Sequence, residues 1–318
     1  MKNLFTLLAI ILSGIINAQK IDHLVSYRHI DSENYFRFNY DNDYFAASDK
    51  NYTQGYNLEF VSPFFYKNPI NSILITPETF RLKHGLSIEH IGFTPERYDL
   101  PDIQFDDRPF AASIVLKSFV VAQHSAKKIR LHSSFSIGLI GPGAFGEEMQ
   151  VGIHEATGNK VPRGWRHQIK NDIVVNYSLG IEKQILNLNN VASVQLQSNL
   201  NLGTLFTNAS VGTNVILGKF KNSFSSENHN QDLQIYVYAQ PLVSVIAYDA
   251  TLQGGLINRD SPYTISSKDV QRLTSQFNFG LVIQTKTLYF EYTRSSITKE
   301  FETGNLAKWG GIRIGFTF

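Results

Sequence analysis

Strict period-two alternation, repeated along most of the chain, limits most strongly what this sequence can fold into. In residues 192–203, Val194, Leu196, Leu200 and Leu202 alternate with Gln195, Gln197, Asn199 and Asn201. Residues 233–245 place Leu233, Ile235, Val237, Val243 and Val245 opposite Gln234, Tyr236, Tyr238, Gln240 and Ser244. Successive side chains of a strand point to opposite faces, so each run reads as a strand with one apolar and one polar face. The pattern continues to the last residues, where Ile312, Ile314, Phe316 and Phe318 alternate with small or polar neighbours.

Similar segments fall near 34–43, 53–62, 84–93, 110–122, 129–140, 171–185, 208–218, 275–286, 288–297 and 308–318, twelve in all. Each is long enough for the about 9–11 residues that a tilted membrane strand needs. An even count suits a single-chain bacterial barrel. The expected fold is all-β, a twelve-stranded antiparallel transmembrane β-barrel; a soluble β-sandwich is the competing reading of the alternation. Near the amino terminus, Lys2 precedes an apolar run from Leu4 to Ile16 and then Asn17-Ala18-Gln19. That reads as a secretory signal over 1–18, leaving 19–318 as one outer-membrane barrel domain.

Composition narrows the class further. No later apolar run approaches the ~20 residues of a helical span. With 15 Tyr and 23 Phe against 2 Met, aromatics are plentiful enough for the girdles of a barrel. The mean hydropathy of −0.16 fits an apolar exterior diluted by a polar lumen. Cysteine is absent, which removes the disulfide framework of small secreted domains. A net charge of +2 gives no reason to expect a nucleic-acid partner.

With the amino terminus periplasmic, the long connections 94–109, 141–170 and 250–274 face outward. One connection, 219–231, is long yet falls on the periplasmic side. By parity Asp43 points into the lumen near the outer mouth, and Thr53 faces it across the first outer hairpin. Asn42 faces away from the lumen unless the strand bends or ends there. Within the 141–170 connection, Glu147 to Thr157 reads as a short helix in an extracellular loop. Its acids stand at the start, where the helix dipole favours them, and Gly158 is a plausible cap. Gln150 and His154 lie four residues apart on one helical face, and a helix set across the outer mouth would aim both at Asp43 and Thr53.

Two motif matches here mislead. Gly141, Gly143 and Gly146 fit the dinucleotide fingerprint literally, but that motif needs a βαβ unit, and no crossover helices flank it. His154-Glu155 begins a zinc-protease motif whose second His position is Gly158.

The residues resemble a known family, the outer-membrane lipid A 3′-O-deacylases. The matching pieces are YDNDYF at 40–45, DKNYTQG at 49–55, TP at 94–95, DDRPFA at 106–111, IGPGAFGEEMQ at 140–150, His154, and GWRHQIKND at 164–172. They run in family order over the first half of the mature chain. The second half matches only as alternating strands. The resemblance implies a barrel that hydrolyses the ester of the 3′ acyloxyacyl chain of lipid A in lipopolysaccharide, dependent on Ca²⁺. Its site falls on Asn42, Asp43, Thr53, Gln150 and His154. A lysine that some members carry near 94–97 is unmatched, and Arg97 is the nearest cation, which leaves the donor to the substrate phosphate or oxyanion open.

The chemistry suits these residues. Ester hydrolysis needs a base for water and a positive group where the oxyanion develops. Histidine is the residue type that titrates near neutrality, which makes His154 the general base. Asp43, the Thr53 hydroxyl and local carbonyls are hard oxygen ligands for Ca²⁺, which would act as a Lewis acid. Asn42 or Gln150 could donate to the oxyanion. Two other readings are a passive porin, which requires an open lumen, and an outer-membrane phospholipase, for which no convincing Ser and His pair is present.

Overall fold

The computed structural model describes residues 24–46, 51–189, 191–224 and 233–318. The leader expected over 1–18 lies outside the described residues. Twelve strands form in chain order: β1 (Tyr35–Asn42), β2 (Asn51–Val61), β3 (Arg81–Thr94), β4 (Ala111–His124), β5 (Ile129–Ile140) and β6 (Asp172–Leu188) make the first half. The second half is β7 (Ala192–Gly203), β8 (Phe206–Lys219), β9 (Leu233–Asp249), β10 (Leu273–Thr285), β11 (Leu288–Ile297) and β12 (Ala307–Thr317). Each pairs antiparallel with its chain neighbour, and β1 closes on β12 from Tyr35↔Thr317 to Asn42↔Gly310. Closure leaves no open edge, so every ladder group can be paired inside lipid. All twelve expected segments are strands, and the sandwich is excluded.

Parity sets the two faces. Leu58, Ile88, Leu116 and Ile137 are exposed on the outer wall, while Glu59, Arg37 and Arg313 are buried within. The interior is a packed polar core. Arg37 meets Glu59 at 2.8 Å, Arg313 meets Glu291 at 3.3 Å, and Lys117 meets Glu89 at 2.8 Å. A buried charge left alone costs several kcal/mol, which is why these ions come in opposed sets.

Part of that core comes from outside the strands. A short 3-10 turn, Ser26–Arg28, sits inside the barrel before β1 begins. Arg28 pairs with Glu291 at 3.0 Å, the Tyr27 hydroxyl donates to Gln240 Oε1 at 2.8 Å, and the Ser26 hydroxyl donates to Glu182 at 2.7 Å. The Tyr27 ring stacks on Tyr238 with centroids 3.8 Å apart. At the same end, Lys221 reaches Asp31 at 2.5 Å. The 219–231 connection therefore begins by packing on the inserted segment, which accounts for a long connection on that side. The 62–80 connection between β2 and β3 is long as well and lies at this end; the opposite end carries the connections 95–110, 141–171 and 250–272, with the helix α1 (Gly146–Thr157) and a single turn α2 (Ala250–Gln253), and is called the helical end below. Among the described residues no helix is long and apolar enough to cross a membrane.

Candidate active site

Strand β1 stops at Asn42, and the chain turns through a 3-10 segment, Asp43–Ala46. The Asn42 side-chain oxygen accepts from the Tyr44 amide at 2.8 Å, a local bond that competes with the ladder and ends the strand. Its amide nitrogen donates to the Tyr40 hydroxyl at 3.0 Å. Phe45 then lies edge-on to Tyr40 at 5.9 Å, and its carbonyl accepts from Arg294 at 2.8 Å. Tyr40 and Arg294 belong to the outward-facing set of their strands, so the turn folds over the outside of the wall. Asp43 is buried, and its carboxylate acts electrostatically on the Tyr40 hydroxyl. Strand parity no longer governs Asp43, and the expected lumen position is replaced by a turn at the rim.

The helix forms as expected and ends on Gly158, whose φ of 70° is the left-handed cap that glycine supplies. Its position differs from the expectation. Gly146, at its start, lies against the Ala112 methyl group and the Trp165 ring. Ala112 shares the outer face of β4 with exposed Leu116, so α1 lies on the outer wall and not across the mouth. Ala112, Ala144, Trp165, Phe110 and Tyr98 form a buried cluster there. The small side chains of Gly146 and Ala112 permit this close approach, which a larger residue would block.

Gln150 is buried, and its side-chain oxygen accepts from the Trp165 indole N–H at 2.7 Å. His154, one turn further, has Nδ1 2.6 Å from the Lys160 carbonyl and its ring edge-on to Tyr98 at 5.3 Å. A carbonyl can only accept, so Nδ1 is the donor of this bond and Nε2 is the ring nitrogen that it leaves unused. The Lys160 backbone thus orients the ring. Arg97 is at the surface, its guanidinium 62% exposed and 3.2 Å from Asp99. Thr53 is the residue skipped where the β2–β3 register shifts between Tyr52 and Gln54, a bulge that locally redirects a strand; its side chain lies outside the described residues.

Sequence reasoning missed the polar residues on the outward face of β2 and β3. On the outward face of β2 and β3, Tyr56 stands opposite His90 and Gln54 opposite Gly92. Tyr56 stacks on Tyr40 at 5.0 Å and meets the His90 ring at 6.1 Å, and the His90 ring interacts with the Ala144 backbone as a hydrogen-bonding partner. These contacts run from Asn42 to the base of α1. His90 is 4% exposed and Gln54 2%. Gln54 Nε2 makes no hydrogen bond, and such an orphan costs about 1–3 kcal/mol. The signal in the sequence was polar residues at lipid-facing parity, beside Tyr56, Leu58 and Ile88.

For a metal ion, no three of His, Asp and Glu gather among the described residues. Asp43 is the one acid in its turn. A carboxylate with hydroxyl and carbonyl oxygens is a hard-oxygen donor set, the chemistry that suits Ca²⁺.

Residues 4–318 match a family model described as outer membrane protein LpxR. Among solved structures, LpxR from Salmonella typhimurium is similar with a TM-score of 0.72 at 19% identity, covering 89% of this chain and 100% of that one. The β domain of the Bordetella autotransporter BrkA gives 0.43 at 8% identity, covering 90% of this chain and 98% of that one. The translocator domain of NalP from Neisseria meningitidis gives 0.39 at 11% identity, covering 90% and 88%. At these identities the first likeness speaks for the fold, and the other two carry no argument. No curated protein matches the chain.

Proposed function

The chain belongs to the LpxR family of outer membrane proteins, and on that premise we propose that it is an outer-membrane hydrolase that removes the 3′-linked acyl or acyloxyacyl chain of lipid A. The observation that carries the reading is His154, held by the Lys160 carbonyl with its other nitrogen unused by that bond, on a helix laid against the membrane-facing wall. A base inside the lumen could not reach a lipid headgroup; one on the outer wall at the rim can. The helical end then faces the cell exterior, where lipid A occupies the outer leaflet.

In this mechanism His154 Nε2 takes a proton from water as the water oxygen bonds to the ester carbonyl carbon. The tetrahedral oxyanion collapses, the bond to the sugar oxygen breaks, and that oxygen leaves with the proton from His154. The products are a free carboxylic acid and a sugar hydroxyl. Asn42 and Asp43 hold the rim turn beside the site, and Gln150 fixes Trp165 under α1. Asp43, the Thr53 hydroxyl and nearby carbonyls would hold Ca²⁺, which when bound supplies positive charge for the ester carbonyl. The porin reading has no support from a lumen whose Arg37, Arg313 and Glu291 side chains are at most 1% exposed.

The test is the mass of lipid A extracted from a host that expresses the chain. A species lighter by the 3′ substituent, absent from the host without it, is expected. Unchanged lipid A in cells that hold the folded barrel would reject the proposal.

A further inference from the structure

After β2 the chain makes two short 3-10 turns, Pro63–Lys67 and Pro69–Ile73, and folds back over the outside of the barrel as a collar across β3 to β6. The strand side chains that anchor it have lipid-facing parity. The Asn68 side-chain amide donates to the Ser118 hydroxyl at 3.0 Å, and the Ile75 amide donates to the Ser133 hydroxyl at 2.9 Å. The Tyr177 hydroxyl donates to the Ile73 carbonyl at 2.7 Å, and the Tyr66 ring stands edge-on to His84 at 4.6 Å. A bare wall would be apolar at Ser118, Ser133, Tyr177 and His84. Their polarity is explained by the collar they hold.

The outward side of the collar is apolar. Residues 63–75 carry one charge, Lys67. Phe64 is 81% exposed, and Tyr66, Ile73 and Ile75 are exposed beside it. Phe65 meets Phe60 of the lipid-facing side of β2 edge-on at 5.5 Å, and Phe60 stacks on Phe318 at 5.8 Å, so the collar continues the lipid-facing wall. Its backbone is bonded internally. The amides of Phe65, Asn68, Asn71 and Leu74 each donate to the carbonyl three residues back, and the Asn71 side chain donates to the Phe65 and Tyr66 carbonyls. Backbone that meets lipid needs such pairing, because the bilayer offers it no water.

The depth of the wall points the same way. On β4, Ala112 lies in the cluster at the start of α1, and Ser118 lies under the collar. At about 3.4 Å per residue and a tilt of about 40°, about 16 Å of wall separates them, whereas the apolar band of such a barrel is about 25 Å tall. On the far side β9 exposes Leu233, Ile235, Val237, Val243 and Val245, about 30 Å by the same geometry. The short wall reaches the height of the band only with the collar inside it.

We propose that residues 63–75 are a membrane-seated collar whose partner is the acyl chains of phospholipid in the leaflet at that end, with Lys67 at the level of the headgroup phosphates. That this leaflet is the inner one rests on the orientation proposed above; the contact with lipid does not. The collar and α1 then fix, from below and above, the depth at which this wall stands in the bilayer.

Tryptophan fluorescence tests it, since native Trp165 and Trp309 are at most 1% exposed and give a shielded background. Phe64→Trp and Ile73→Trp are made in the full chain, checked for folding by heat-modifiable gel mobility, and placed in phosphatidylcholine vesicles with ordinary or brominated acyl chains. Val243→Trp on the lipid-facing wall is the reference for lipid. Thr287→Trp, in the turn between β10 and β11 at the same end, is the reference for water. Brominated chains should quench both collar tryptophans at least about half as strongly as Val243→Trp, since an interfacial element lies about 5–10 Å into the acyl boundary. Iodide should quench them far less than Thr287→Trp. Iodide quenching equal to that of Thr287→Trp, without an effect of bromine, would put the collar in water and overturn the proposal. Shielding from both quenchers would mean that protein covers the collar, a second copy of this chain in the purified sample, and would overturn it as well. If Phe64→Trp does not fold, Ile75→Trp is read in its place by the same criteria. Turnover of lipid A is no part of the readout, so the collar and the hydrolase reading fail separately.

Discussion

His154 is oriented by one bond whose direction chemistry fixes: the Lys160 carbonyl must accept, so Nδ1 must donate. Removing a general base lowers rate by about 10²–10⁴-fold, and that loss is expected for His154→Ala. The ring stands outside the strand ladder, so heat-modifiable mobility should be unchanged; near-native turnover by a folded variant would move the base elsewhere. Asp43→Ala should abolish the Ca²⁺ dependence together with the activity. Full turnover of wild type in excess chelator would instead remove the metal from the account. The motif pieces made Asn42, Asp43, Gln150 and His154 legible as neighbours in chemistry, but not His90 or Gln54. Gln54 lies inside the DKNYTQG piece without standing out from it, and His90 carries no motif.

At the scale of elements, alternation located every strand because each strand separates lipid from polar core, and that contrast is written residue by residue. It could not locate the segment before β1. Residues 24–34 have no period, and what holds them is distant in sequence, as in the contact of Arg28 with Glu291. Nor could it place α1, whose position depends on small residues of β3 and β4. The inserted segment carries a pH signature. Burial holds the His29 imidazole well below its ordinary range, with Lys83 and Arg130 adding repulsion and Asp31 opposing them. The unfolded chain takes up a proton below about pH 6.5 that the folded barrel resists, so stability falls as pH drops through that value. Unfolding in detergent at pH 7.5 and 5.5 should show His29→Gln losing about 1 kcal/mol less than wild type between them. Equal losses would show that His29 is not the group responsible.

For the whole molecule, the packed lumen makes two claims that separate it from a pore. Arg37→Met strands Glu59 inside the barrel and should cost about 3–5 kcal/mol in urea unfolding. Adding Glu59→Leu should restore most of that loss, since no lone charge then remains; a double variant as unstable as the single would contradict the pairing seen at 2.8 Å. Purified barrel in planar bilayers should give no stepwise conductance, and stable open steps would contradict the filled interior.

The central claim is that this wall and helix hydrolyse a lipid ester. Its most direct test is mass spectrometry of lipid A incubated with folded, purified barrel and Ca²⁺, run beside the His154→Ala variant. The account expects lipid A to lose the mass of its 3′ chain, with the matching fatty acid released, in the wild-type sample alone. Lipid A of unchanged mass in the presence of folded wild-type protein would contradict it.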